Sequence, residues 1–432
     1  MTQEFKEDDM LTKEDNDRLT RVGPGTPGGE MMRRYWQPAC MSSEVPEKDG
    51  APLRVRLLGE DLIAFRDTDG NVGLIDAYCP HRRAPMFFGR NEECGLRCVY
   101  HGWKFDRNGD CVDMPSEPEG TPLKERVKIK AYPVHEAGGV IWTYMGPKDN
   151  MPAPPDYEWM RAPAGHSNVT KTFENCNYLQ GLEGGLDTAH SSFAHNNSLK
   201  TKDEPRQRDK HPRLDVERTD YGYYYVSFRN MQDGNFYMRI YHYALPAQQF
   251  RGGIHKFNGE KREYPELNGH IWVPIDDNTT WVYNWTCAYD ENSKFTEENC
   301  IEREYFYGRG PDQLIPGTFK LKANASNDYF IDRQMQKTEN YTGIVGVNTQ
   351  DFALQEGMGH IVDRSKENLG TSDKAIVQMR RLLLEAVREV EQGIAPRGSD
   401  PVTHVNIRPY DGFMKTSDDW QKVFAEDLKP RW

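Results

Sequence analysis

Between residues 52 and 145 apolar and polar side chains alternate in short runs, "LRVRLLGEDLIAFRD", "NVGLIDAY" and "VKIKAYPVHEAGGVIWTYMG", broken at Gly-Glu, Asp-Gly and Asn-Gly-Asp. A period of two marks strands with one buried face, and the glycine-containing breaks are turn formers. The pattern predicts a small antiparallel β domain. The segment "GPKDNMPAPPDYEW", at 146 to 158, is rich in proline and polar residues and reads as a linker. Beyond it, "DYGYYYVSFRN", "NFYMRIYHYALP", "NGHIWVPIDD" and "TTWVYNWTCAYD" are dense in aromatic and β-branched residues and predict one larger antiparallel sheet between 211 and 290. The period then lengthens. "SDKAIVQMRRLLLEAVREVEQG" has helical apolar spacing, a capping residue in Ser372 and a stop at Gly393, whereas 299 to 310 leaves helix undecided. The fold class is therefore α+β, in three parts: an N-terminal segment 1–40 packing on the larger domain, a small all-β domain 41–150, and a larger domain 151–432. No internal repeat or low-complexity tract interrupts this plan.

Composition narrows the function. A chain of 432 residues suits two domains, each with a sizeable core. Its most apolar runs, such as Gly139 to Met145, fall far short of the roughly 20 residues that span a bilayer. The N-terminus is acidic and lacks the basic and apolar segments of a secretory signal, so a cytoplasmic protein without membrane association is expected. A net charge of -12 with no basic block argues against nucleic acid as a partner. Eight cysteines (Cys40, Cys79, Cys94, Cys98, Cys111, Cys176, Cys287 and Cys300) are too few for a disulfide scaffold in so long a chain. Reduced in a cytosol, they are available as metal ligands.

Four residues have ligand spacing. Cys79 and His81 form Cys-x-His, Cys98 and His101 form Cys-x-x-His, and sixteen residues separate the pairs. Zinc accepts this mixture, but its structural sites more often pair cysteines in one knuckle and histidines in another. One thiolate and one imidazole from each of two loops instead fits a [2Fe-2S] centre with two thiolates on one iron and two imidazoles on the other. The string "CPHRRAPM" followed by "CVYHGWKFD" resembles the Rieske motif of the bacterial ring-hydroxylating oxygenases. Respiratory Rieske proteins carry an extra cysteine in each loop; here Arg82-Arg83-Ala84 and Val99-Tyr100 stand in those loops. Cys94 and Cys111 read as ordinary small buried or loop residues.

A second constellation, Glu-x3-Asp-x2-His-x4-His, lies in "NCNYLQGLEGGLDTAHSSFAHNN". Two imidazoles and a carboxylate make the facial triad that holds Fe(II) on one side and leaves other positions open. The segment resembles the mononuclear iron site of the same oxygenases. That resemblance implies His190 and His195 as ligands, with Asp351 as the third and Glu356 as the alternative. It implies subunits packed head to tail in a trimer, with stacking into hexamers as the alternative, and Asp187 hydrogen-bonding His101 of the next chain and carrying electrons from that chain's cluster to the iron. Glu183 either supports that link or is a plain structural acid, and Asn177 matches a family asparagine near the iron, with a structural polar group of the helix as the alternative.

The resemblance covers most of the chain and is nearest the phthalate 4,5-dioxygenase group, as in "MMRRYWQPA", "HPRLDVERTDYGY" and "QEGMGHIVDRSKENLGTSD". It implies a helix-grip catalytic domain and cis-dihydroxylation of an aromatic carboxylate, phthalate-like or a substituted benzoate, with O2. Monooxygenation or O-demethylation of a substituted aromatic acid is the alternative. No Gly-x-Gly-x-x-Gly fingerprint follows a strand, so electrons are expected from a separate NAD(P)H-dependent reductase with flavin and a [2Fe-2S] centre. A carboxylate substrate calls for arginine. Arg239, inside a strand of alternating aromatics, and Arg206 and Arg208, in the charged loop after the histidines, are the expected cations. A Rieske electron carrier alone would leave about 280 residues and the histidine pair unexplained.

Overall fold

The alternating runs form the strands they predict. In the computed structural model, which describes residues 10–200, 204–231, 233–256 and 258–432, Leu53–Leu57, Glu60–Arg66 and Val72–Asp76 make an antiparallel meander. Val134–Ala137 and Val140–Tyr144 form a hairpin completed by Trp36–Met41. Four short strands, Arg90–Glu92, Gly95–Arg97, Lys104–Phe105 and Cys111–Asp113, form a third sheet. Met86, Leu96, Trp103 and Phe105 give these hairpins a core of their own, distinct from the main one.

The larger domain is built on eight strands: β1 Ser167–Glu174, β2 Arg213–Arg218, β3 Gly222–Asn230, β4 Asn235–Ala244, β5 Gln248–His255, β6 Lys261–Pro274, β7 Thr280–Ala288 and β8 Tyr410–Lys415. They are ordered β1-β7-β6-β5-β4-β3-β2, with β8 also paired to β4. Strand β4 is shared along its length: residues 242 to 244 pair with β5, and residues 235 to 240 pair with β8. Four strands lie outside the predicted runs: β2, "RLDVER", whose alternation is limited to Leu214 and Val216, and three others. β1, "SNVTKTFE", is largely polar, β5, "QQFRGGIH", carries two glycines, and β8 is short and distant in sequence. None offers a clean period of two.

Three helices stand out against this sheet: α1 Tyr178–Leu186, α2 Val347–Gly357 and α3 Lys374–Glu391. Helix α3 begins two residues after the expected cap, because Thr371–Asp373 forms a 3-10 turn first. The undecided stretch is also helical, Glu297–Tyr307, capped by the Thr296 hydroxyl and ended by Gly308 at φ 83°. Helix α1 lies unusually close to β6. A Cβ on Gly181 or Gly185 would fall 2.6 or 2.2 Å from the Trp272 ring, so glycine at these positions sets the helix depth.

The N-terminal helix Lys13–Thr20 packs on the larger domain, where the Leu19 and Thr20 carbonyls accept from the Tyr178 hydroxyl and the Asn177 amide. The β domain is fastened by a buried Lys171 to Glu44 ion pair of 2.6 Å and by the backbone of Leu58 and Gly59 on Pro274 and Ile275. The small β domain and the helix-flanked antiparallel sheet are the α+β class read from the sequence. Among the described residues no helix is long and apolar enough to cross a membrane.

Candidate metal centres

Cys79, His81, Cys98 and His101 sit on two loops of matching construction. In each, the amide four residues after the cysteine donates to the cysteine carbonyl (Arg83 to Cys79, Gly102 to Cys98), and that fourth residue has positive φ, 60° at Arg83 and 80° at Gly102. Both cysteines are buried and both histidines reach toward the surface. The imidazoles face each other with ring centroids 4.5 Å apart, and His81 stacks on Trp103 at 4.3 Å. Burial, with Cys98 alongside, pushes the Cys79 thiol up to about 11 despite a backbone hydrogen bond at His81. A bound cation is what would hold Cys79 as a thiolate at neutral pH. Two soft donors inside and two imidazoles outside fit a [2Fe-2S] cluster with its histidine-held iron toward solvent.

The second centre gathers three donors. His190 and His195 follow α1, and Asp351 lies on α2. The two Nε2 atoms are 3.0 Å apart, and Asp351 Oδ1 lies 3.2 Å from His195 Nε2 and 3.6 Å from His190 Nε2. Gln350 fixes the protons. Its Nε2 donates to Asn197 and to the Ile344 carbonyl, so its Oε1 must accept from His195 Nδ1 at 2.8 Å. His195 therefore presents a lone pair at Nε2. Asp187 Oδ2 stands 3.6 Å from His190 Nδ1, beyond hydrogen-bond length but on the side that favours the same tautomer. Two imidazole lone pairs and a carboxylate oxygen thus converge, an arrangement that repels itself unless a cation lies between. Separations near 3 Å are those of adjacent ligands on one ion at a metal-ligand distance of about 2.1 Å. These residues fit a mononuclear metal.

The other expected site residues divide. Asp187 is the C-cap of α1, and its Oδ1 accepts from the Ala189 amide at 2.7 Å, leaving Oδ2 for His190. Asn177 is not beside the metal: it is the N-cap of α1, and its amide donates to the Thr20 and Asp277 carbonyls. Glu183 also departs from its expected role. It is gripped by Arg364 at 2.8 Å and Arg380 at 2.7 Å on the side of α1 away from the cavity. Glu356 accepts from the Asn175 amide and the Tyr329 hydroxyl and lies outside the donor group.

Glu183 is a stability residue with a pH dependence of definite sign. Burial would raise its carboxyl, but Arg364 and Arg380 outweigh that and hold it below the usual carboxylate range. Its contribution is complete above an unfolded value of about 4.3 and is lost as pH falls through the lower folded value. Glu183→Gln should cost about 3 kcal/mol at pH 7, because Arg364 stays buried without its anion and Arg380 keeps only Glu367. Urea denaturation of the variant and the parent at pH 7 and pH 4 checks this, the difference narrowing at acid pH.

A cavity of about 180 Å³ opens in front of the three donors. A cavity of about 150 Å³ accommodates benzene, so one substituted ring fits. Tyr237, Tyr241, Trp272 and Phe352 line it together with Arg206, Arg239, Arg251 and Arg262. Arg239 donates to the Gly252 carbonyl at 2.8 Å and faces Asp411 across the β4–β8 pairing. Arg206 pairs with Glu204 at 3.1 Å, and Arg208, on the same turn, is not part of the lining. Arg251 and His270 were not among the expected residues. Their signal is the cross-strand register of β5, β6 and β7, which a strand without alternation conceals.

Two family descriptions account for the chain: residues 35–133 match the Rieske [2Fe-2S] domain, and residues 143–430 match the LigXa C-terminal domain. The protein belongs to the Rieske oxygenases and is an oxygenase alpha subunit of the type that acts on aromatic rings. Among its relatives, the phthalate 4,5-dioxygenase oxygenase subunit of Pseudomonas putida is 39% identical over 96% of this chain and 95% of its own. The 3-chlorobenzoate-3,4-dioxygenase oxygenase subunit of Comamonas testosteroni is 35% identical over 97% and 99%. The 5,5'-dehydrodivanillate O-demethylase oxygenase subunit of a Sphingobium species is 37% identical over 90% and 83%. The crystal structure of dicamba monooxygenase shares the fold, with a TM-score of 0.61 at 18% identity over 84% of this chain and 99% of that one.

Proposed function

We propose that this chain is the oxygenase component of a Rieske dioxygenase that adds both atoms of O2 to the ring of an aromatic carboxylate, phthalate-like or a substituted benzoate, giving a cis-dihydrodiol. The observation that carries this reading is the group of His190, His195 and Asp351, open on one side to a ring-sized cavity lined with arginines. Two relatives similar over nearly the whole chain, named for phthalate and 3-chlorobenzoate, support an acid as substrate.

His190, His195 and Asp351 would hold Fe(II), and Cys79, His81, Cys98 and His101 the cluster. When bound, the two centres supply what side chains lack, one-electron transfer and O2 activation. The protein supplies the arrangement. Gln350 keeps Nε2 of His195 free for the metal, and Asp187, 3.6 Å from His190 Nδ1, favours the same form of that ring while closing the turn after α1. Tyr237, Tyr241, Trp272 and Phe352 exclude water from one aromatic ring. Cavity arginines, Arg239 and Arg206 among them, fix the carboxylate so that one ring edge faces the open side of the metal. Electrons come from a separate flavin and [2Fe-2S] reductase.

In a head-to-tail trimer, His101 of one copy would meet Asp187 of the next. Asp187 is about a quarter exposed, which leaves it reachable by a second copy. Turnover with a surrogate reductase, NADH and O2 against phthalate, isophthalate, terephthalate, chlorobenzoates and methoxybenzoates tests the reading by product mass. Gain of two oxygens and two hydrogens on one acid is the expected result. Loss of a methyl group or gain of one oxygen would replace dioxygenation by the O-demethylase or monooxygenase reading, which the 37% identical O-demethylase subunit favours.

A further inference from the structure

The arginines around the cavity differ in how their charge is balanced. Arg206 has Glu204, Arg239 faces Asp411, Arg303 pairs with Glu266, and Arg309 with Glu304 at 2.8 Å. Neither Arg251 nor Arg239 has a carboxylate within 4 Å among the described residues, but Arg239 has Asp411 as its register partner on β8, and Arg262, which shares the property, lies in solvent. Arg251 is held by neutral groups instead. Its Nε donates to Asn268 Oδ1 at 3.0 Å and one terminal nitrogen to His270 Nε2 at 2.7 Å. The other terminal nitrogen has no hydrogen bond among the described residues.

His270 can accept only as the neutral Nδ1–H tautomer, and Asn284 enforces that form. Asn284 Nδ2 donates to the Val282 carbonyl and the Thr172 hydroxyl, so its Oδ1 accepts from His270 Nδ1 at 2.8 Å. The sheet register places this chain of contacts: Arg251 stands opposite Asn268, and His270 opposite Asn284, on neighbouring strands. A polar ladder from β1 across β7 and β6 thus ends at an arginine on β5, and every link in it is uncharged. Burying a guanidinium without a counter-ion is costly, and the structure meets that cost with hydrogen bonds while leaving the charge itself unmatched. Arg251 and Asp351 both line the cavity, so the arginine shares it with the donor group.

We propose that Arg251 binds the carboxylate of the substrate, and that His270, locked neutral by Asn284, is the positioning residue that aims its guanidinium. This rests on the aromatic-acid reading and names the residues that would set its preference for anions. A carboxylate at His270's own position would cancel the charge, and a protonated His270 could not accept from Arg251. Neutrality at His270 is thus part of the recognition.

Calorimetric titration of the iron-loaded protein with phthalate, benzoate and the uncharged benzamide, without reductase, tests it. Arg251→Gln should weaken phthalate and benzoate by at least tenfold while benzamide changes less than twofold. Arg251→Lys should lie between, since lysine keeps the charge and loses the fork. His270→Phe should repeat the selective loss, and His270→Gln, which retains an acceptor, should restore part of it. The lysine and glutamine variants keep the test decisive where a harsher one does not fold. Equal binding of benzoate by Arg251→Gln and the parent, or equal loss of benzoate and benzamide, overturns the proposal and leaves the aromatic-acid reading standing. A parent that binds benzamide but neither acid ends both, and it does so before any variant is made.

Discussion

His195→Ala should abolish turnover and empty the mononuclear site while the visible absorption of the Rieske cluster persists. The expectation rests on the separation of the donor sets. Nothing in the two cluster loops contacts His195, whose ring is spent on Gln350 at one nitrogen and on the metal position at the other. Loss of a group that merely supports a ligand costs roughly 10- to 100-fold in metal affinity or activity, and loss of the ligand itself costs more. Metal analysis and turnover on one preparation check this: iron per chain falls by the mononuclear share, sulfide stays constant and no oxygenated product forms. Asp351→Ala should behave in the same way, and Glu356→Ala, remote from the donors, should not.

The second large effect is expected at Asp187. Its two oxygens have different tasks, Oδ1 on the Ala189 amide and Oδ2 beside His190 Nδ1. Asp187→Asn keeps the first and removes the charge from the second, so fold and iron content should survive. Electron delivery across the subunit boundary should not. Reoxidation of the reduced cluster in the presence of substrate and O2 should slow by on the order of 100-fold, the upper end for an outer-shell carboxylate. Rapid-mixing absorption measurements, with metal analysis of the same sample, check it. An Asp187→Asn protein that keeps its iron and reoxidises at the parent rate would remove Asp187 from the electron path.

What could be read from the sequence depended on how local each feature is. The cluster quartet spans residues 79 to 101 on two neighbouring loops, and the histidine pair spans a single turn after α1. Such spacing survives without knowledge of the fold. Asp351, 156 residues beyond His195, carried no local pattern and came from resemblance alone. Glu183 and Asn177 show the limit of proximity in sequence. Gly181 and Gly185, four residues apart, share the cavity face of α1, whereas Glu183, two residues from either, points about 200° away and finds Arg364 and Arg380. Asn177 was close to the right helix but caps its start.

The arginines illustrate the converse. Arg239 stood in an obvious strand and does line the cavity. Arg251 stands in β5, whose Gly252 and Gly253 break the alternation that reveals strands. Its surroundings come from Asn268, His270 and Asn284, which only the pairing of β5, β6 and β7 brings together. The glycine approach of α1 to Trp272 is equally invisible beforehand, since it depends on a contact between a helix and a distant strand.

A single turnover tests the dioxygenase reading most directly. Protein carrying both centres is reduced, freed of reductase, mixed with the best aromatic acid and given one pulse of 18O2. Oxygenated acid in an amount close to that of the chains, with both labelled atoms on the ring, is the expected yield. Reoxidation of the cluster with hydrogen peroxide as the only product, or with a single labelled atom in the acid, would overturn dioxygenation by this chain.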